Sequence, residues 1–311
     1  MRLRSLAVTA FLFCLSATTA GSGTFLIDFD SALPVGTAFY DSSGAGLLRS
    51  SGGNPAAGGY LAVTDATGGH FRSIAFPDFD DGQEVLAFQF ACDVRIGNGS
   101  RHPADGFSIS IARSADQAVG NLSSYASFAG GIPEAGTTTG IAVGFDSWSG
   151  NTLPDGPDVE GLIVRVNNTT VLRHDMPVRN GDVTDPTSLQ TGPFDGAAEG
   201  GALDVGTGSP DGLGWARFEI SMSLDQRLTV RYKDTTILDN LDLEPYGLTP
   251  SALQIVMAGR TGGGVGNNHV DNLLFITTVP EPESLAVLSG VVLATLPFLL
   301  RLVRGRPEAV R

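Results

Sequence analysis

Basic side chains are scarce in this sequence, and lysine is almost missing: Lys233 is the only one in 311 residues. The chain has 33 acidic and 19 basic residues, for a net charge of −14. Six arginines (Arg2, Arg4, Arg301, Arg304, Arg306, Arg311) lie near the two ends, so the body between them carries 30 acidic against 13 basic groups. A body of that sign repels nucleic acid and anionic lipid, which are held by basic patches. It suits neutral polyols or divalent cations. Cysteine is nearly as rare. Cys14 falls in an apolar leader, which leaves Cys92 alone in the body, where no intramolecular disulfide can form. Cys92 alternates with Leu86, Phe88, Phe90 and Val94, so it reads as a small core residue. The sequence also lacks a Gly-x-Ser-x-Gly elbow, a His-Glu-x-x-His pair and a Cys/His metal cluster. No Lys-Ser/Thr pair follows Gly262-Gly263-Gly264, so that run is no phosphate loop.

What is present begins at the ends. Met1-Arg2-Leu3-Arg4, an uncharged run from Leu6 to Leu15 and Ser16-Ala17-Thr18-Thr19-Ala20 make a basic, apolar and small-residue series. This predicts a secretory signal peptide over 1–20. At the other end, Val279-Pro280-Glu281-Pro282-Glu283 precedes 17 uncharged residues from Ser284 to Leu300 and then the arginine cluster. That length lies at the short edge of a bilayer span, and an apolar helix is expected over 284–303. The flanking arginines place the body outside the cytoplasm. The order of Pro280, Glu281, Pro282, apolar helix and arginines resembles the PEP-CTERM sorting signal of exopolysaccharide-producing Gram-negative bacteria. The resemblance implies a sorting tail at 279–311, processed by a membrane enzyme, and a protein of the cell envelope, cell surface or extracellular matrix. It implies contact with the membrane only through that tail.

Between the ends, 21–278 read as one all-β domain. Short alternating segments recur: Phe25–Phe29, Tyr60–Val63, Phe71–Phe76, Val85–Val94, Gly106–Ile111, Gly140–Phe145, Glu160–Val166 and Thr170–Arg173. Arg217–Met222 and Arg227–Tyr232 read as a hairpin that sets Phe218, Ile220 and Met222 against Leu228, Val230 and Tyr232. Gln254–Ala258 and His269–Thr277 close the body. Gly, Pro, Asn and Asp turns separate these runs, as in a two-sheet antiparallel sandwich. The stretch from Asn180 to Asp211 lacks periodicity and reads as a long surface excursion. His269 reads equally as a plain strand residue or a functional one, and Asn268 and Asp271 as surface or turn residues.

Three segments carry candidate chemistry: Asp105-Gly106-Phe107 entering a strand, the loop Gly130-Gly131, and Phe145-Asp146-Ser147-Trp148-Ser149-Gly150-Asn151 running on to Asp155 and Asp158. With Gly262-Gly263-Gly264 and the strand at His269, their order resembles the concanavalin A-like jelly rolls, in particular the L-type lectins. The resemblance implies a non-catalytic carbohydrate-binding protein. Asp105 would accept sugar hydroxyls, the Gly131 amide would donate, Asn151 would bridge sugar and metal, and Trp148 or Tyr125 would offer a stacking face. One calcium ion is the implied cofactor. It takes six to eight oxygens, which Asp146, the Trp148 carbonyl, Asn151, Asp155 and Asp158 can supply.

Two departures bear on this. Gly144 stands where relatives with a second metal have Glu, and the family's following His is missing near Glu160. No transition metal is therefore expected. The same jelly roll hosts glycoside hydrolases, whose chemistry needs paired carboxylates on one strand face. Their Glu-x-Asp-x-x-Glu run is absent, which argues against an enzyme. The readings left are an exported, lectin-like module for a polysaccharide, and a structural matrix protein with no sugar site.

Overall fold

The computed structural model describes residues 20–150, 152–153 and 156–280. Residues 1–19 of the predicted leader over 1–20, Asn151, Asp155, Glu281, Pro282 and the expected apolar helix lie outside the described residues. No described helix is long and apolar enough to cross a membrane. Most of the described chain, Ser22–Val279, is one compact unit.

Seventeen strands build it: β1 Ala20–Ile27, β2 Ala38–Asp41, β3 Leu48–Arg49, β4 Tyr60–Thr64, β5 Phe71–Ala75, β6 Ala87–Gly99, β7 Gly106–Arg113, β8 Ile141–Asp146, β9 Thr152–Leu153, β10 Gly156–Pro157, β11 Gly161–Val166, β12 Thr169–Asp175, β13 Ala216–Met222, β14 Arg227–Tyr232, β15 Thr235–Asp242, β16 Leu253–Arg260 and β17 Gly266–Pro280. One sheet runs β15-β14-β13-β6-β17-β4-β3, with β1 also on β17; the second runs β12-β11-β8-β7-β16-β5-β2; β9 and β10 form a small ribbon. Neighbours along both strand orders, β1 aside, are antiparallel. The architecture is the all-β, two-sheet sandwich expected from the alternation.

The inner faces close on one core. Phe107 stacks on Phe145 at 4.5 Å, and Phe145 meets Phe218 and Tyr232 of the opposite sheet edge-on at 4.8 and 5.6 Å. Cys92 is fully buried among them. The β13–β14 register sets Phe218 against Tyr232, Ile220 against Val230 and Met222 against Leu228, as the hairpin reading requires. The outer face of the second sheet is also covered. Ala118, Leu122 and Phe128, from a short helix α1 (Gln117–Gly120) and the turns after it, pack on Phe71, Ala75, Ala112, Val256 and Ala258. This second layer covers Phe71 and Ala75 of β5, which is buried at every position rather than at alternate ones.

The excursion is less of a surface feature than its composition suggested. Ser188, Leu189, Gln190 and Thr191 are almost completely buried. Lys233 supplies the reason. It sits with Asp234 at positive φ in the β14–β15 turn, and its Nζ donates to the carbonyls of Asp182 (2.7 Å), Asp185 (3.1 Å), Ser188 (2.7 Å) and Gln190 (2.5 Å). Burial lowers its pKa to about 8. One ammonium thus gathers four backbone acceptors; the Asp182 and Asp185 carbonyls also accept from the Asp185 and Ser188 amides, and Lys233 serves those of Ser188 and Gln190 in a loop with no ladder of its own.

Candidate functional site

Strand order brings the sequence candidates together at one end of the second sheet. In the β7–β8 register Gly106 faces Asp146, and in the β7–β16 register it faces Arg260. Asp105 is therefore fixed from both sides. Its amide donates to the Arg260 carbonyl at 3.2 Å, and its own carbonyl accepts from the Ser147 amide at 3.0 Å and the Ser147 hydroxyl at 3.1 Å. The Ala104–Asp105 peptide is cis. Backbone pairing leaves the carboxylate as the group presented at the mouth, where its side chain is 17% exposed.

Two residues missed by sequence reasoning complete this mouth. Glu134 follows Pro133 in a 3-10 turn, and its side chain is fully buried. Arg260, at the end of β16, donates from Nε to both Glu134 carboxylate oxygens at 3.0 Å and from Nη2 to Oε1 at 2.6 Å. The same Nε lies 3.5 Å from Asp105 Oδ2. Burial raises the pKa of both Asp105 and Glu134, and the Arg260 charge pulls against it without cancelling it. Gly144 has its own structural reason here. A Cβ at that position would lie 2.4 Å from the Glu134 carbonyl, so the turn carrying Glu134 can approach β8 only over a glycine. Arg260 lay in plain view before the glycine run, but nothing local ties it to a partner 126 residues away.

Asp146 ends β8 and is buried; its Oδ1 accepts from the Trp148 amide at 3.0 Å. Burial, and then the neighbouring charges of Asp158 and Glu134, push its pKa well up. The Trp148 carbonyl accepts from the Gly150 amide at 2.9 Å. The Trp148 ring meets His102 edge-on at 4.9 Å. His102 Nε2 lies 3.0 Å from the Ser147 carbonyl and 3.1 Å from Glu160 Oε1. Both are acceptors, so this nitrogen carries the proton. Gly131 is in a left-handed turn, and its amide donates to the Phe128 carbonyl at 3.0 Å. Tyr125 is 41% exposed, rests edge-on against Phe71 at 4.5 Å, and lies within electrostatic reach of Arg260, Glu134 and Asp105. The structure thus gathers Asp105, Asp146, Trp148 and Asp158 at one end of the sandwich. Asn151 and Asp155 lie outside the described residues, as do Glu281 and Pro282 of the sorting motif; Pro280 ends β17. Among the described residues no group of three or more His, Cys, Asp and Glu side chains is arranged to hold a metal.

His269 is a strand residue, one of its two readings, whereas Asn268 and Asp271, read as surface or turn residues, are buried with it in β17. His269 Nδ1 accepts from Arg95 Nε at 3.1 Å. The Arg95 guanidinium is layered between Tyr60 and Trp215 at 4.6 and 4.4 Å. The loop at Gly52–Gly59 closes over this cluster, with the Gly52 carbonyl accepting from Arg95 Nη1 at 2.8 Å. His269 is a packed member of the sandwich, away from Asp105.

No family model matches the chain, and no curated protein matches its sequence. Solved structures do. The chain is similar to lectin II from Ulex europaeus, with 15% identity over 82% of this chain and 98% of that one, at a TM-score of 0.52. It is similar to the lectin UEA-II complexed with galactose (15% identity, the same coverage, TM-score 0.50) and to a seed lectin of Lotus tetragonolobus (12% identity, 84% and 100% coverage, TM-score 0.50). Its fold is the concanavalin A-like lectin jelly roll.

Proposed function

We propose that the protein is an exported, non-catalytic, lectin-like module that binds a glycan at the Asp105 mouth. The observation that carries this reading is Asp105 itself. Its backbone is held by Arg260 of β16 and by Ser147 after β8, and its part-exposed carboxylate lies 3.5 Å from Arg260 Nε. Such a carboxylate accepts two hydroxyl protons from a neutral polyol, a charge-assisted contact. The fold shared with a lectin complexed with galactose supports the same ligand class. Glu134 supports the absence of catalysis. A glycosidase needs an acid and a second carboxylate on either side of one bond, and Glu134 is sealed behind Arg260. The exported setting, the sorting tail, its processing enzyme and a Gram-negative envelope or exopolysaccharide matrix rest on the terminal sequence motifs alone.

A single calcium ion belongs to this reading. Asp146 is buried, and the nearby Asp158 carboxylate adds to the rise in its proton affinity, as a like charge does. They would hold the ion with the Trp148 carbonyl, Asn151 and Asp155, and it would fix the loop after β8. One observation favours the alternative of a structural matrix protein without a sugar site: the Gly131 amide, expected to donate to sugar, already donates to Phe128.

Two experiments test the reading. Calcium is expected to raise the melting temperature of the purified protein in a concentration-dependent way, and Asp146→Ala to remove the rise; an unchanged melt removes the ion. Retention on immobilised polysaccharide is expected to be lost in Asp105→Ala with the fold intact. Absence of saturable retention under any metal condition favours the matrix reading.

A further inference from the structure

The glycine run after Arg260 forms the floor of the mouth, and a leucine from the excursion stands on its far side. A Cβ on Gly262 would lie 3.2 Å from Asp105 Oδ2, whereas one on Gly264 would lie 3.3 Å from Leu203 Cδ2 and one on Gly263 4.0 Å from Leu203 Cδ1. A Cβ on Gly264 would also lie 2.9 Å from Ala104 Cβ, so the carboxylate and the leucine methyls border opposite ends of the same three-glycine run. Leu203 is 50% exposed. It is nevertheless held firmly. The Asp204 carbonyl accepts from the Arg101 amide at 2.8 Å, the Ala202 carbonyl from the His102 amide at 2.9 Å, and the Gly99 carbonyl from the Gly206 amide at 2.7 Å. The Arg101 side chain also donates to the carbonyls of Ala197 and Ala198 and covers the Phe194 ring at 5.1 Å. A single exposed leucine on a surface is ordinary; one pinned by both neighbours' carbonyls beside an acceptor carboxylate defines a wall.

We propose that Leu203 is the specificity-determining wall of the Asp105 mouth, and that the glycan taken there turns a methyl-bearing substituent, a 6-deoxy carbon or an acetyl group, toward it. This rests on the sugar-binding reading of Asp105. The two sides of the floor ask for opposite chemistry. Asp105 satisfies hydroxyl donors on one edge of the ring. Leu203 has no acceptor to give a hydroxyl on the other edge, which would lose water without replacement. A methyl group in that place removes apolar surface from water on both partners. A side chain at Gly262 would crowd the carboxylate and one at Gly264 would crowd Leu203, so glycine lets both groups reach this run.

The test is a set of titrations of the purified protein with matched sugars. L-Fucose against L-galactose, and L-rhamnose against L-mannose, differ only in the 6-methyl group; N-acetylglucosamine against glucose separates the acetyl source from the deoxy one. At least one methyl-bearing member is expected to bind roughly 3- to 10-fold tighter than its hydroxylated partner. Leu203→Ser is expected to erase that preference with an unchanged melt, and Asp105→Asn to abolish binding of both members. Asp105-dependent binding with equal affinity within every pair overturns the Leu203 proposal and leaves the sugar site standing, as does a preference that survives Leu203→Ser. Absence of Asp105-dependent binding to any sugar overturns both.

Discussion

Two clusters of buried charge sit in this sandwich, and they are built in opposite ways. Beside β5 and β17, Arg72 donates to Asp41 at 3.1 Å and to Asp65 at 2.7 Å, Arg49 also pairs with Asp65, and His269 Nε2 lies 3.4 Å from Asp65. Burial pushes Asp41 up, but hydrogen bonds from Ser43 and Arg72 overcome it and hold it at about 2. Asp65 is likewise held well below the usual carboxylate range, by His269 and Arg72 against the cost of burial. At the mouth, burial wins: Asp105, Glu134 and Asp146 all have raised pKa values. The first cluster is compensated within the fold. The second keeps three carboxylates whose proton affinity is raised by burial even beside Arg260, the kind of perturbation that marks a candidate site.

The largest expected effect breaks the compensated side. Arg72 is almost fully buried, and Arg72→Met leaves Asp41 and Asp65 facing the interior without their shared guanidinium. Urea unfolding is expected to reveal a loss of about 3–5 kcal/mol; a loss under about 1 kcal/mol would mean that the network is ornamental.

Lys233→Met comes next. It takes the donor from the buried Ser188 and Gln190 carbonyls, while those of Asp182 and Asp185 keep backbone amides, and a loss of about 2–3 kcal/mol is expected by the same measurement. Faster proteolysis within 180–211 should accompany it.

The pH response sharpens the contrast. Burial and the neighbouring Arg95 charge lower the His269 pKa from 6.5 to about 4, against the pull of Asp65. The folded protein binds this proton less readily than the unfolded chain. Its contribution is therefore fully present above pH 6.5 and lost as pH falls through about 4. Asp271, raised by burial to about 6, runs the other way in part of that window, its contribution fading as pH rises from 3.8 through 6. The difference between wild type and His269→Gln isolates the histidine. The variant's melting temperature should fall less steeply between pH 6.5 and 4, and parallel curves would remove His269 from the account.

The smallest effect belongs to the mouth. Because burial disfavours the charged form of Asp105, Asp105→Asn is expected to change stability by no more than about 1 kcal/mol, and in the stabilising direction. Thermal melts check it.

Much of this fold can be read from alternation alone. The β13–β14 register and the burial of Cys92 follow from period-2 patterning, and Gly106 before Phe107 marks the strand that presents Asp105. Other elements gave little signal. β15 buries only Ile237 deeply, so Thr235–Asp242 lacks an apolar face to recognise. β2 and β3 are four and two residues long. The mouth was legible in part for the same reason: Asp105, Asp146 and Trp148 adjoin strand patterns, whereas Glu134 and Arg260 meet only because β8 and β16 both flank β7. The ionic ladder through Arg72, Asp65, His269 and Arg95 joins residues from four separate strands and loops, which no local spacing announces.

The most direct test of the account combines binding and stability in one variant. Wild type and Asp105→Asn would be compared on a glycan panel with immobilised polysaccharides, and by thermal melt in the same buffer. The account predicts saturable binding by the wild type, loss of that binding in the variant, and an equal or higher melting temperature. Unchanged glycan binding in Asp105→Asn, or a binding loss matched by unfolding, would contradict it.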